Sequence, residues 1–186
     1  MSEVSGRLDA VLDAAYICFA RHGLRRATMD DIAGEVGLSR PTLYLSVKNK
    51  DEAFRLVAQR MLDRSLAAAT AAAQRRGGTA DRVIAVLECK LGLAAQLHRD
   101  SPAHAADFLV DGARRLGTMI DDHIAALTGI VAEILRERTT PREAGELAAA
   151  LIALTYGLER EIDDLRSAGR QLRRTVTLVV IGLEHS

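Results

Sequence analysis

The chain has 186 residues, of which 48% are hydrophobic and only 3% are aromatic. This aliphatic composition favours closely packed helices over sheets, and no uncharged run approaches the roughly 18 residues of a membrane span. Because 25 basic residues are balanced by 25 acidic ones, overall charge does not point to nucleic acid, and a DNA-binding surface would have to arise from local arrangement. The absence of a signal peptide and the placement of Cys18 and Cys89 in apolar helical patterns predict buried thiols and a soluble, cytoplasmic protein.

The chain begins with two predicted helices in close succession. An apolar stripe at helical spacing forms the first helix and ends at Gly23. The second helix follows Thr28, with Asp31 three residues further on in the arrangement of a capping box. Gly37 ends this helix after about two turns.

Two further helices follow directly. Ser39 is placed to cap a third, short helix that has Pro41 in its first turn, where a missing amide proton does no harm. Asn49 is placed to cap a long fourth helix with Glu52 at its third position. Gly77-Gly78 ends that helix.

The rest of the chain is also predicted to be helical. The expected helices cover about 80–97, a segment opened by Ser101-Pro102 that carries Phe108, then about 118–138, 142–166 and, after Gly169, 170–184. The stretch TVTLVVIGL (175–183) is rich in β-branched residues, but its valines also fit helical spacing and no partner strand is evident, so we predict a helix. The predicted fold is therefore all-α.

The N-terminal helices have the dimensions of a helix-turn-helix, because two short helices are joined by Gly37-Leu38-Ser39 behind a longer one. In that motif the second short helix enters a major groove about 12 Å wide. Arg40 could bind guanine, Thr42 could contact a thymine methyl or a phosphate, and Tyr44 could donate to a phosphate. Alternatively, Arg40 is a solvated surface charge and Tyr44 a half-buried packing residue.

Two lysines stand beside the start of the fourth helix. A cation such as Lys50 opposes the helix dipole there, whereas a DNA phosphate would be attracted both by Lys48 and Lys50 and by the free helix amides. Thr28 offers a second phosphate contact at the start of its own helix. The alternative is that Lys50 pairs with the neighbouring carboxylates of Asp51 and Glu52.

Two stretches of this region match one known family densely: AAYICFARHGL (14–24) and RATMDDIAGEVGLSRPTLYLSVKNKDEAF (26–54). They resemble the DNA-binding domain of TetR-family transcriptional regulators, and the similarity covers about the first 60 residues. The matching residues are Phe19, Gly23, Thr28, Ile32, Ala33, Gly37, Ser39, Thr42, Leu43, Tyr44, Lys50 and the acidic residue after it. The predicted DNA-binding residues are Thr28, Ser39, Arg40, Thr42, Tyr44, Lys48 and Lys50.

One short run departs from the family pattern. The family usually carries an aromatic-rich run after the tyrosine, where this chain has Leu45-Ser46-Val47. We expect Val47 to fill the core position with less volume. Backbone contacts would then depend more on Tyr44, Lys48 and Lys50.

The resemblance also implies how the remaining residues are organised. It predicts a helix-turn-helix DNA-binding domain at 1–50, a connecting helix at about 50–76, and a variable helical domain for effector binding and dimerisation within 51–186. In the family, the last two helices form a four-helix bundle across a two-fold axis. The candidate interface residues are Ala149, Ala153, Gly157, Val176, Val179, Val180 and Leu183. The alternative is that these residues form an ordinary core within one chain.

A small-molecule effector is the other partner that the resemblance implies. The candidate contacts on the middle helices are Met61, Cys89, Leu93, His98, Phe108, Met119 and His123, each of which could instead belong to the core or the surface. His104 and Asp107 share a helix face, but a metal site would need more ligands than this spacing supplies. We expect no metal and no cofactor.

These observations predict a homodimeric repressor that binds a palindromic DNA operator and is released by a small molecule. The rival prediction is a helical module that binds small molecules or proteins and has lost operator binding, for which the Leu45-Ser46 departure and the zero net charge speak. An enzyme is not expected, because no nucleophile with a base, phosphate-binding glycine loop or metal-ligand cluster occurs at usable spacing.

Overall fold

The computed structural model of the chain describes residues 2–160 and 165–184, with side chains described over 6–159 and 167–183. Throughout these ranges the regular structure is helical, which confirms the predicted all-α fold. The elements are α1 (Ser2–Arg26), α2 (Met29–Val36), α3 (Arg40–Tyr44), α4 (Lys50–Ala73), α5 (Thr79–Asp100), α6 (Ala105–Asp107), a π-helical turn (Phe108–Gly112), α7 (Ala113–Leu116), α8 (Thr118–Leu135), α9 (Pro141–Arg160) and α10 (Leu165–Glu184). None of the described helices combines the length and the apolar character that a membrane crossing requires.

Two predicted boundaries are wrong. The segment after Ser101-Pro102 is not one helix but α6, the π-helical turn and α7. In this segment Gly112 approaches Phe54 so closely that an added Cβ would lie 3.2 Å from the ring. Gly169 does not open a helix but lies inside α10, where a lone glycine costs about 1 kcal/mol and a helix of 20 residues tolerates it.

The chain divides into two compact units. Unit 1 consists of the residues up to Leu62 together with Leu97–Gly117, and unit 2 of Asp63–Gln96 together with the described residues from Thr118 onward. Two of the three boundaries fall inside the long helices α4 and α5, and the third falls between α7 and α8. The division by role into 1–50 and 51–186 stays a prediction.

Unit 1 has a core that joins α1–α4 to the segment 105–116. Phe19 contacts Phe54 edge to face with ring centroids 5.8 Å apart, and Phe54 in turn lies 6.4 Å from Phe108. Ile32 from α2 and Leu43 from α3 are both fully buried in this cluster. Helix α2 is therefore fixed by Ile32 together with the buried Ala33, and α3 by Leu43, which leaves the outer surface of both helices for other contacts.

Unit 2 has an aliphatic core built from α4, α5, α8, α9 and α10. Its fully buried large residues include Leu87, Leu127, Leu135 and Leu172. Buried alanines of α4 and α9 allow close helix packing. The stretch 175–183 lies within α10, so its prediction as a helix is confirmed.

Candidate nucleic-acid interface

Helix α2 begins at the predicted capping box. The Thr28 hydroxyl accepts a hydrogen bond from the Asp31 N–H at 3.1 Å, and the Asp31 carboxylate accepts from the Thr28 N–H at 2.8 Å and from its hydroxyl at 2.7 Å. The bonds from Thr28 lower the pKa of the Asp31 carboxyl. Because the Thr28 hydroxyl proton is held by Asp31, a phosphate contact from this hydroxyl would replace an existing bond.

The turn between α2 and α3 is fixed by backbone geometry. Gly37 ends α2 in the left-handed region at φ 71° and ψ 30°, where glycine is favoured. Ser39 then caps α3, since its hydroxyl accepts from the Thr42 N–H at 3.3 Å and lies 2.8 Å from the Thr42 hydroxyl. Leu43 is 0% exposed and packs the inner face of α3 into the core of unit 1. This combination presents the N-terminal turn of α3 to solvent.

Arg40 is the leading side chain of that exposed turn. Its guanidinium contacts both carboxylate oxygens of Asp30, at 3.0 Å and 3.3 Å, and donates to the Tyr44 hydroxyl at 3.5 Å. Both Arg40 and Asp30 are more than half exposed, so the pair adds little stability and can exchange for other partners. Arg40 therefore has partners on the surface without being buried, and it can leave them for others.

The start of α4 carries the two lysines in different roles. Asn49 caps the helix by accepting from the Glu52 N–H at 2.8 Å, as predicted. Lys50 is half-buried and donates to the backbone carbonyl of Arg25 at 3.1 Å, rather than pairing with the neighbouring carboxylates. Lys48 is exposed. The ammonium of Lys50 thus links α4 to the end of α1.

Three cations near this surface escaped the sequence-based prediction. Arg26 is exposed just before the α2 cap. Arg25 pairs with Asp111 at 2.9 Å, and Arg115 pairs with Asp51 at 3.1 Å. The RRAT sequence could have indicated Arg26, whereas the partners of the other two lie more than 60 residues away in the chain and leave no local signal.

The Leu45-Ser46-Val47 run divides between core and surface. Val47 is 1% exposed and packs in the core of unit 1, whereas the Leu45 side chain is 79% exposed at the end of α3. Val47 thus occupies the core position expected for it. Leu45 thus presents an apolar side chain to solvent.

The predicted effector contacts fall into both units. Met61, His98 and Phe108 belong to unit 1, where Met61 and Phe108 pack against its core. The others, which belong to unit 2, are Cys89, Leu93, Met119 and His123. His123 is 8% exposed, and its Nε2 atom has no hydrogen-bond partner among the described residues. Over the described part of the chain, no group of three or more histidine, cysteine or acidic side chains is placed to hold a metal.

The predicted interface residues on the last two helices differ in exposure. Ala149, Ala153 and Gly157 are exposed on α9, and Val179 and Leu183 are half-buried on α10. Val176 and Val180 are 0% and 5% exposed because they pack in the core of their own chain, so they are not available to a partner. Among the described residues of α10, the exposed large hydrophobic side chains are instead Leu178 and Ile181.

A capped pair of short helices behind a longer one, with a cationic first turn exposed, is the arrangement of a helix-turn-helix motif. The family model for bacterial regulatory proteins of the tetR family matches residues 11–57. The HTH-type transcriptional repressor ComR of Escherichia coli K12 is 39% identical over 56 residues, which are 30% of this chain and 27% of that repressor. This similarity therefore spans about a quarter of the curated relative.

Solved structures resemble the whole chain. A transcriptional regulator from Rhodococcus sp. RHA1 has a TM-score of 0.76 at 22% identity, with 94% of this chain and 96% of that chain covered. A TetR-like transcriptional regulator from the same source has a TM-score of 0.70 at 24% identity over 95% and 96% of the two chains. The tetR family model thus matches the N-terminal part of the chain where the resemblance was noted, and the solved structures share its fold over nearly the whole length.

Proposed function

We propose that this regulator is a repressor that binds a palindromic operator as a homodimer and leaves it when a small molecule binds unit 2. The observation that carries this proposal is Arg40, held by Asp30 and Tyr44 at the exposed first turn of α3. A guanidinium at this position can donate two parallel hydrogen bonds to guanine in the major groove. The regulator would act in the cytoplasm, where bacterial DNA is found.

Base recognition would involve the first turn of α3. Arg40 would exchange its bonds to Asp30 for bonds to guanine, and the exposed pair loses little when it opens. Thr42 is half-buried beside Ser39 and would contact a thymine methyl or a phosphate through its outer face. The capping bond from Ser39 would keep both side chains in register with the groove.

Phosphate contacts would surround this reading helix. Lys48 and Arg26 are exposed cations, and Tyr44 carries a hydroxyl on a ring that is 42% exposed. Thr28 and Lys50 would contact further phosphates by exchanging their present bonds, to Asp31 and to the Arg25 carbonyl respectively. Such contacts bind DNA of any sequence and make affinity fall steeply with salt.

Dimerisation would use the exposed side of the last two helices. On α9 the small residues Ala149, Ala153 and Gly157 allow a partner helix to approach closely, and Leu178 and Ile181 on α10 supply exposed apolar area. Two reading helices about 34 Å apart would match a palindrome, since this is one turn of DNA. A ligand that favours a different separation would release the operator, provided that it binds the two states with different affinity.

Selection from a library of genome fragments by the purified protein tests the proposal. We expect enrichment of an inverted repeat whose half-sites lie one helical turn apart, bound with strong salt dependence. The matched control is a variant in which Leu178 is replaced by arginine, which should weaken both dimerisation and selection of the repeat. Weak binding to every fragment, unaltered by salt, would instead support the helical module that has lost operator binding.

A further inference from the structure

Unit 2 contains a lysine in an unusual place. Lys90 lies in the middle of α5 among buried aliphatic residues, and its side chain is only 7% exposed. Burial lowers the pKa of Lys90 against the opposing effect of Glu159. An ammonium is costly to bury even when it is paired, and packing alone would be served as well by an apolar side chain of similar length.

The partners of Lys90 come from α9. Its ammonium donates to the Glu159 carboxylate at 2.5 Å and lies 4.0 Å from the centre of the Tyr156 ring. The Glu159 side chain is 14% exposed, whereas Tyr156 is 45% exposed. The buried ion pair therefore lies just inside a ring that reaches the surface.

His123 on α8 adds a second buried polar group. Its Nε2 atom is buried without a hydrogen-bond partner among the described residues. Burial, and then the positive charge of Lys90, lower the pKa of His123, so the ring is neutral near pH 7. A neutral imidazole left with an unsatisfied nitrogen is unfavourable in the core, and a ligand that reaches it would remove that penalty.

We infer that Lys90 and His123 form the binding site for the carboxylate group of a small apolar effector, with Glu159 occupying the place of that carboxylate until the ligand arrives. This inference rests on the proposed function, because it names the chemical class of the molecule that releases the operator. The Glu159 carboxylate on Lys90 shows which group this position accepts. The surrounding aliphatic core provides an environment for a hydrocarbon chain.

Because Glu159 competes with the ligand, the inference predicts opposite changes in carboxylate affinity for two variants. In Glu159→Gln the internal competitor loses its charge and the ammonium is left without its counter-ion, so a carboxylate should bind more tightly than in the wild type. In Lys90→Met with Glu159→Gln, both charges are absent, and carboxylate binding should be lost. The double variant should fold, since a buried ion pair can be replaced by neutral groups of similar volume.

Calorimetric titration of the full-length protein, without DNA, with butanoate, octanoate and dodecanoate tests the inference, and the corresponding 1-alkanols serve as uncharged probes. We expect at least one carboxylate to bind about tenfold more tightly to Glu159→Gln and at least about tenfold more weakly to the double variant, relative to wild type. In the wild type, binding should also shift the ¹⁵N resonance of His123 Nε2. Glu137→Gln, which neutralises the partner of Arg82 elsewhere in unit 2, is the matched control and should bind as the wild type does.

Three results would overturn the inference: no binding of any of these carboxylates to the wild type, undiminished binding to the double variant, or an unmoved His123 resonance. If Glu159→Gln does not fold, the wild type and the double variant decide the question. Because the titration contains no DNA, carboxylate binding by a protein that selects no operator would contradict the proposed function alone. Operator selection without carboxylate binding would contradict this inference alone.

Discussion

Replacing Lys50 by alanine separates two roles that the structure gives to one ammonium. Its Nζ atom donates to the Arg25 carbonyl at 3.1 Å, and it stands at the first residue of α4, where the helix dipole favours an anion even though Asn49 already caps the Glu52 amide. Loss of one exposed hydrogen bond costs about 1 kcal/mol, and removal of a cation from a helix N-terminus returns a few tenths of that amount. We therefore expect the free energy of unfolding to fall by less than about 1 kcal/mol.

In DNA binding, this substitution should reduce the salt dependence of the affinity and should leave the preference for one DNA sequence over another nearly unchanged. Each phosphate contact contributes about 0.9 to the slope of log affinity against log salt concentration, so the slope should decrease by about 0.9 per protomer. Fluorescence anisotropy with the selected duplex and an unrelated duplex measures both affinities between about 50 and 200 mM salt. Lys50→Arg is the control, because it keeps the charge. An unchanged slope in Lys50→Ala would refute the phosphate role and leave Lys50 as a link between α1 and α4.

Three further substitutions test which interactions stabilise unit 1. Thr28→Ala removes the cap of α2 and should reduce the free energy of unfolding by about 1 kcal/mol in urea titrations, whereas no change would mean that the capping box adds nothing. Leu43→Ala removes a fully buried side chain and should cost about 2–5 kcal/mol in the same assay, and a cost below this range would mean that α3 is anchored elsewhere. Burial raises the pKa of the Cys18 thiol from 9.0 to about 11, so the protonated thiol stabilises the fold fully below pH 9.0 and this stabilisation is lost as the pH rises towards about 11. Cys18→Ala should not show this loss of stability at high pH. If the wild type and Cys18→Ala unfold with the same pH dependence, the thiol makes no such contribution.

Local sequence signals were sufficient to predict where α2, α3 and α4 begin and how the turn between α2 and α3 is formed. The capping residues Thr28, Ser39 and Asn49 form the expected bonds, because a cap involves partners only two or three residues away. Gly37 takes the left-handed conformation for the same reason. Helical spacing, together with the lack of an evident partner strand, was enough to predict a helix for the β-branched stretch 175–183.

Contacts between distant residues could not be predicted in this way. The π-helical turn lies beside Phe54, more than 50 residues earlier in the chain, and nothing in its own sequence announces that contact. The bond from Lys50 to the Arg25 carbonyl joins residues 25 positions apart, so neither the predicted phosphate contact nor the alternative pairing with adjacent carboxylates pointed to it. These partners depend on how the helices pack, which periodicity does not specify.

The orientation of α10 illustrates the same limit within one helix. Spacing identified an apolar stripe but not the surface against which it packs. In the structure Val176 and Val180 lie in the core of their own chain, and Leu178 and Ile181 on the other side are exposed. A sequence alone cannot tell an internal stripe from an external one when both sides carry aliphatic residues.

The most direct test of DNA reading by the α3 helix is the affinity of Arg40→Ala for the selected operator and for an unrelated duplex at one salt concentration. If Arg40 binds guanine, the preference for the operator should fall by about 1–3 kcal/mol, which is roughly fivefold to more than hundredfold, while binding to unrelated DNA changes much less. If the two affinities fall by the same factor, or if neither changes, Arg40 does not read bases and α3 is not the recognition helix.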